Sequence, residues 1–223
     1  MEPVRKIKPG YANLTARVPS SKMIKMINAE SSLERDLIAL LEFDPKVVEY
    51  CEQPLSIPLP NGRTYKPDFY VKYINPDGTE EVFIYEVKYR DELKKSFDTL
   101  KPKFKAAITF CKLNNYRFKI LTDLEIRTHR LKNIEFLQHF SRSVAPNEDE
   151  IRTTLAQSLF ELKQTTPEEL LAYSFQDFLL KAQATPVMWR MIAEGSIQAD
   201  LDYTLNMKSP LTLDPEIEEK YVY

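Results

Sequence analysis

Two carboxylates and a lysine stand in this 223-residue chain where they can do chemistry together: Asp68, in Tyr65-Lys66-Pro67-Asp68-Phe69-Tyr70, and Glu86 and Lys88, in Tyr85-Glu86-Val87-Lys88. Side chains two apart in a strand share a face, so Glu86 and Lys88 point together while Phe83, Tyr85 and Val87 point the other way into an apolar layer. The Asn75-Pro76-Asp77-Gly78 turn between the two stretches makes a hairpin, which sets Asp68 beside them. Adjacent carboxylates repel unless a cation lies between them, and oxygen ligands of this kind suit magnesium, with manganese as a substitute. The Val87 carbonyl, between the two inward side chains, adds a further oxygen. Such an ion polarises a phosphate and acidifies a water, while Lys88 orients that water or neutralises charge developing on the phosphorane. The plain alternative is a cross-strand ion pair, which the same residue types make without any function.

The elements that must position these residues are legible nearby. Ser31-Ser32-Leu33-Glu34 has capping-box spacing, and Leu33, Leu37, Leu40 and Leu41 form an apolar stripe that ends before Pro45. On these local grounds Glu34 is a cap, with a catalytic role as the competing reading. Strands are expected over Val47 to Gln53, Leu55 to Leu59, Tyr65 to Tyr73 and Glu81 to Lys88, with Glu49 and Glu52 facing outward. A helix follows from about Asp91 to Asn114 with an irregularity at Pro102, then a strand over Arg117 to Thr122 and a short helix ending near Phe140. Lys94, Lys95, Lys101, Lys103 and Lys105 crowd the long helix and are the candidate DNA contacts. His129 and His139 are expected to face solvent or phosphate rather than a metal.

The expected organisation is a basic N-terminal arm over 1–30, a catalytic domain over 31–143 and a small acidic domain over 144–223. The last of these has mainly helical spacing, with short strands over Ser196 to Leu201 and Pro210 to Leu213 that suggest a winged-helix-like end. Charge divides at the same point: residues 1–143 carry 25 basic and 19 acidic side chains, residues 144–223 carry 6 and 14. The basic part suits a polyanion, and the acidic part, including Asp214-Pro215-Glu216-Ile217-Glu218-Glu219, suits a protein partner. With 43% hydrophobic residues and 12 Phe and 12 Tyr, the chain can bury a real core. No stretch approaches the roughly 18 apolar residues of a membrane span, so no membrane partner is expected and a soluble, intracellular protein is. Cys51 and Cys111 read as buried thiols, and four glycines leave no phosphate-binding loop.

A helix, a Pro-Asp hairpin, a Glu-x-Lys strand and then a basic helix is the order used by metal-dependent nucleases of the PD-(D/E)xK kind. A longer ordered set resembles the TnsA endonuclease subunits of heteromeric cut-and-paste transposases. It comprises Arg17-Val18-Pro19-Ser20, Glu30-Ser31-Ser32-Leu33-Glu34-Arg35-Asp36, Leu41-Glu42-Phe43-Asp44-Pro45, Val48, Glu52-Gln53-Pro54, Tyr65-Lys66-Pro67-Asp68-Phe69 and Glu86-Val87-Lys88. The resemblance implies a restriction-endonuclease-like α/β fold, a mixed sheet flanked by helices, with the family's catalytic glutamate, aspartate and lysine falling on Glu34, Asp68 and Lys88. It further implies cutting of the 5′ strand of double-stranded transposon-end DNA, beside a TnsB-type DDE transposase that processes the 3′ strand and a TnsC-type ATPase regulator. Some members look like parts of CRISPR-associated transposons. A prokaryotic cytoplasmic location, on the nucleoid while active, goes with this. The competing function is a catalytically silent nuclease-fold scaffold that binds DNA and docks transposition partners.

Overall fold

Proline at position 67 has no N–H to give to a ladder, and the chain turns there rather than running on as one strand. The computed structural model describes Pro3, residues 16–141 and residues 146–215. The first half of the expected arm, the boundary at Ser143 and the acidic run beyond Pro215 lie outside them. Strands β1 (Ala16–Ser20) and β2 (Lys25–Ala29) form an antiparallel hairpin ahead of helix α1 (Ser32–Phe43) and strand β3 (Val47–Glu52). The expected strand over 65–73 is two strands. Thr64–Tyr65 (β5) pairs with Ile57–Pro58 (β4) in a small hairpin, and β6 (Phe69–Ile74) joins the main sheet after Pro67 and Asp68.

Strand β7 (Glu80–Val87) pairs antiparallel with β6 across the Asn75–Thr79 turn, where Gly78 takes φ 80°. Helix α2 (Arg90–Leu113) then crosses over to β8 (Arg117–Leu121), which lies parallel to β7. The sheet order is β3-β6-β7-β8, a mixed sheet. Helix α2 runs unbroken through Pro102, which is exposed, so the missing N–H falls on the water side. A short helix α3 (Asp123–Ile126) follows, closed by a capping box at Thr122.

Apolar residues cover both faces of this sheet. On one, Phe69, Val71, Tyr85 and Val87 pack with Leu33, Leu37, Ile38 and Leu41 of α1 and with Ile27 and Ala29 of β2. Residues 16–29, expected to be a loosely packed arm, therefore belong to the core: Ile27 and Ala29 are fully buried. The other face carries Tyr70 and Ile84 against Cys111, and Phe118 and Ile120 against Leu93, Leu100 and Phe104, all under α2. Cys51 and Cys111 are buried thiols. The fold is the α/β architecture expected, consistent with a restriction-endonuclease-like nuclease core.

The chain divides into compact units between Arg127 and Thr128, ahead of the expected boundary after Ser143. Helix α4 (His129–Gln138) explains the shift, because its contacts lie in the second unit: Phe136 meets Trp189 edge to face at 5.1 Å. Asn133 donates through Nδ2 to the Leu201 and Tyr203 carbonyls, and its Oδ1 accepts from the Leu205 N–H. That unit continues with α5 (Glu148–Leu162), β9 (Gln164–Thr165), α6 (Pro167–Ser174), α7 (Phe178–Ala193), β10 (Ile197–Ala199) and β11 (Leu211–Leu213). The two short strands expected there are present, and β9 joins them in a sheet of order β10-β11-β9. Among the described residues no helix is long and apolar enough to cross a membrane.

Candidate active site

Register puts the two carboxylates face to face. Phe69 pairs with Tyr85, and one step further Asp68 lies opposite Glu86 at the end of the β6–β7 ladder. The main chain of Asp68 is held on both sides: its N–H donates to the Tyr85 carbonyl at 3.0 Å, and its own carbonyl accepts from the Gln53 N–H at 2.8 Å. Its side chain is aimed by a third bond, from the Val87 N–H to Oδ2 at 2.7 Å. Lys88 follows β7, and its N–H donates to the Leu121 carbonyl at 3.1 Å, tying it to β8.

The Lys88 ammonium sits among three oxygens, 3.2 Å from Glu86 Oε1, 3.6 Å from Asp68 Oδ2 and 3.1 Å from the Val87 carbonyl. These are the oxygens expected to hold a metal ion. The site is enclosed, the Glu86 side chain being 4% exposed and that of Asp68 15%. Burial drives the Asp68 carboxyl well above the ordinary carboxylate range, the charges of Glu86 and Glu34 add to this, and Lys88 opposes it. Burial alone would lower the Lys88 ammonium, but Asp68 and Glu86 outweigh it and hold the group protonated. A dication fits this donor set, since hard oxygens already enclose a cation there. Among the described residues no three His, Cys, Asp or Glu side chains converge as a metal-binding group, so Asp68, Glu86 and the main-chain carbonyl of Val87 are the donors at hand.

Glu34 stands in the capped first turn of its helix and takes part in the field of the site. Its N–H donates to the Ser31 hydroxyl at 3.1 Å, as the capping spacing demands. Its carboxylate takes the Ser31 hydroxyl at 3.0 Å through Oε1 and the Glu30 N–H at 2.9 Å through Oε2. Burial raises its carboxyl, the two hydrogen bonds and Lys88 pull it back, and its charge in turn reaches Asp68. The carboxylate thus reaches the N–H of the residue before the cap, one position from the capping-box geometry expected.

The basic helix sorts the five candidate lysines. At about 100° per residue, Lys94, Lys101 and Lys105 fall in one stripe, and Lys112, not singled out by the sequence, extends it. Lys95 projects away from the packed face, and Lys103 is half-buried on the opposite flank. Both histidines are exposed, His129 beside the Thr204 hydroxyl and His139 on the Phe136 carbonyl.

Sequence reasoning missed several groups around the site. Glu52, expected to face outward, is 3% exposed and accepts from the Asn28 N–H and side-chain amide at 3.2 and 3.0 Å. The β1–β2 hairpin covers that strand face, which is why the expectation failed. Gln53 takes φ 43°, a left-handed backbone, in the act of donating to Asp68. Tyr65 donates its hydroxyl to Glu86 Oε2 at 2.5 Å. Burial first and Glu86 second push its phenol far above the usual range, so it stays a donor. Arg127 binds buried Asp36 at 2.8 Å, the Ser32 hydroxyl at 2.9 Å and the Tyr89 hydroxyl at 3.2 Å, which links the first turn of α1 to the residue after Lys88. Partners so distant in sequence carry no local signal.

Comparison with known families gives two matches. The family model described as TnsA-like endonuclease N terminal matches residues 44–123, and the one described as TnsA endonuclease C terminal matches residues 125–201. The first match contains Asp68, Glu86, Val87, Lys88 and the lysines of α2, while Glu34 precedes it. No individually curated protein matches the chain.

Proposed function

The chain belongs to the TnsA endonuclease family, the DNA endonucleases of Tn7-type transposases, and from that premise we propose that it nicks the 5′ strand at transposon ends by magnesium-dependent phosphodiester hydrolysis. The observation that carries this reading is the Lys88 ammonium held by oxygens of Asp68, Glu86 and Val87. Those three residues would hold the ion, which supplies Lewis-acid polarisation of the scissile phosphate and a better nucleophile from water. The chain's own groups do the remainder. The Val87 N–H fixes one Asp68 oxygen, and the paired main chain of Asp68 keeps it from swinging away from Glu86. Lys88 presents a permanent positive charge where negative charge develops on the phosphate, and Glu34 adds a carboxylate that orients water. Lysines along α2 track the DNA backbone.

A TnsB-type DDE transposase processing the 3′ strand and a TnsC-type ATPase regulator complete the proposed assembly. The acidic second unit is suited to meeting them, because phosphate repels it.

The test uses purified protein with its transposase partner, labelled transposon-end duplex and magnesium, scored for a nick on the 5′ strand. Nicking that disappears with chelator and with Asp68→Ala or Glu86→Ala is expected. Parental nicking by either variant would place the site elsewhere, and a parental protein that binds the ends without any nick would make it a scaffold.

A further inference from the structure

The β4–β5 hairpin stands outside the four-stranded sheet, yet its last residue reaches into the active site. Tyr65 is 4% exposed, in an apolar cluster with Ile57 and Ala107 against which Leu55, Leu59 and Phe110 pack, and its hydroxyl donates to Glu86 Oε2 at 2.5 Å. The other oxygen of Glu86, Oε1, faces Lys88 at 3.2 Å. The two carboxylate oxygens are thus divided, one to a protein donor and one to the cation.

We propose that Tyr65 is a positioning residue that ties down Glu86 Oε2, so that Glu86 offers Oε1 alone to the divalent ion. The inference rests on the metal reading above. A buried carboxylate free to rotate would either turn both oxygens to the ion or turn away from it, and a hydrogen bond to one oxygen removes that freedom. Outer donors of this kind commonly account for about 10–100-fold in metal affinity. Tyr65 is suited to the task because it is anchored by a hairpin packed on α2 rather than by the strands that bear the ligands.

Tyr65→Phe removes the hydroxyl and keeps the ring. Mn2+ binding to the metal-free protein, measured by titration calorimetry, is expected to weaken about 10–100-fold. The metal concentration giving half-maximal nicking should rise by a similar factor, while the rate at saturating metal stays close to parental. Ile57→Val trims the same hairpin without touching the hydroxyl, and it should leave the Mn2+ affinity unchanged. Parental affinity in Tyr65→Phe, or an equal loss in both variants, would overturn the positioning role. Asp68→Ala separates this failure from the larger one: if the parental protein has no Mn2+ site that Asp68→Ala removes, the metal reading itself falls, and with it the role of Tyr65.

Discussion

Asp68 is the residue at which the proposed function works against stability. Its carboxyl is raised by burial and by two neighbouring carboxylates, so folding favours its protonated form. That contribution is fully present below the ordinary carboxylate value of about 4 and is lost as pH rises through the raised value in the folded protein. Holding the group ionised therefore costs stability, which a bound cation offsets. Asp68→Asn should therefore melt above the parental protein in chelator at pH 7.5, with the gap closing as pH falls toward 4. Magnesium at about 100 times its dissociation constant should stabilise the parental protein by about 2.7 kcal/mol and leave the variant unmoved. Equal magnesium stabilisation of both would remove Asp68 from the ligand set. The neighbouring charges divide differently. Glu34→Gln can still accept from the Glu30 N–H, so its melting temperature should hold while nicking falls about 100-fold or more. Lys88→Ala should lower the rate about 100- to 1,000-fold without weakening Mn2+ binding, since the ammonium now occupies the oxygens the ion would take.

Among the elements, α2 serves both the core and the proposed DNA path. Leu93, Leu100, Phe104, Ala107 and Cys111 hold one side of it against the sheet, and Lys94, Lys101, Lys105 and Lys112 run along a flank for about 27 Å. That stripe starts six residues after Lys88, about one turn into the helix. Reversing Lys94, Lys101 and Lys105 to glutamate should lower affinity for end duplex and flatten its salt dependence by nearly one log unit for each phosphate no longer neutralised. The matching change at Lys103 alone should do much less, because that side chain is half-buried on the far flank. Identical salt slopes for the two variants would make the stripe an ordinary solvated face. The β1–β2 hairpin shows how an element can be mistaken: breakers such as Pro19 suggest a loose lead-in, but alternate residues of β2 bury Ile27 and Ala29 against α1.

At the scale of the whole molecule, the nuclease unit and the acidic unit divide the proposed work between chemistry and partners. The consequence is visible in transposition products rather than in the protein. On the proposed division of strands, inactivating this subunit should leave a DDE transposase partner joining 3′ ends, so that the 5′ flank stays attached and cointegrates replace simple insertions. Glu34→Gln and Lys88→Ala should each shift the products this way in cells while total joining is retained. Simple insertions in the parental proportion from both variants would take these residues out of the chemistry, and loss of all joining would point instead to a failed assembly.

The amino-acid sequence by itself determined what local chemistry and period two can specify. The start of α1 after its Ser31 cap, the Asn75–Thr79 turn and, through that turn, the facing of Asp68 toward Glu86 follow from capping, turn residues and strand alternation, all of them local signals. Only tertiary structure decided that the Glu34 carboxylate lies within electrostatic reach of Lys88, that the Tyr65 hydroxyl meets Glu86, that Glu52 is covered, and that α4 packs with Trp189. Those outcomes depend on which apolar faces find one another. An amphipathic stripe or an aromatic residue announces that it will be buried but not against what, because hydrophobic burial is non-directional and the partner is selected by the packing of the entire unit.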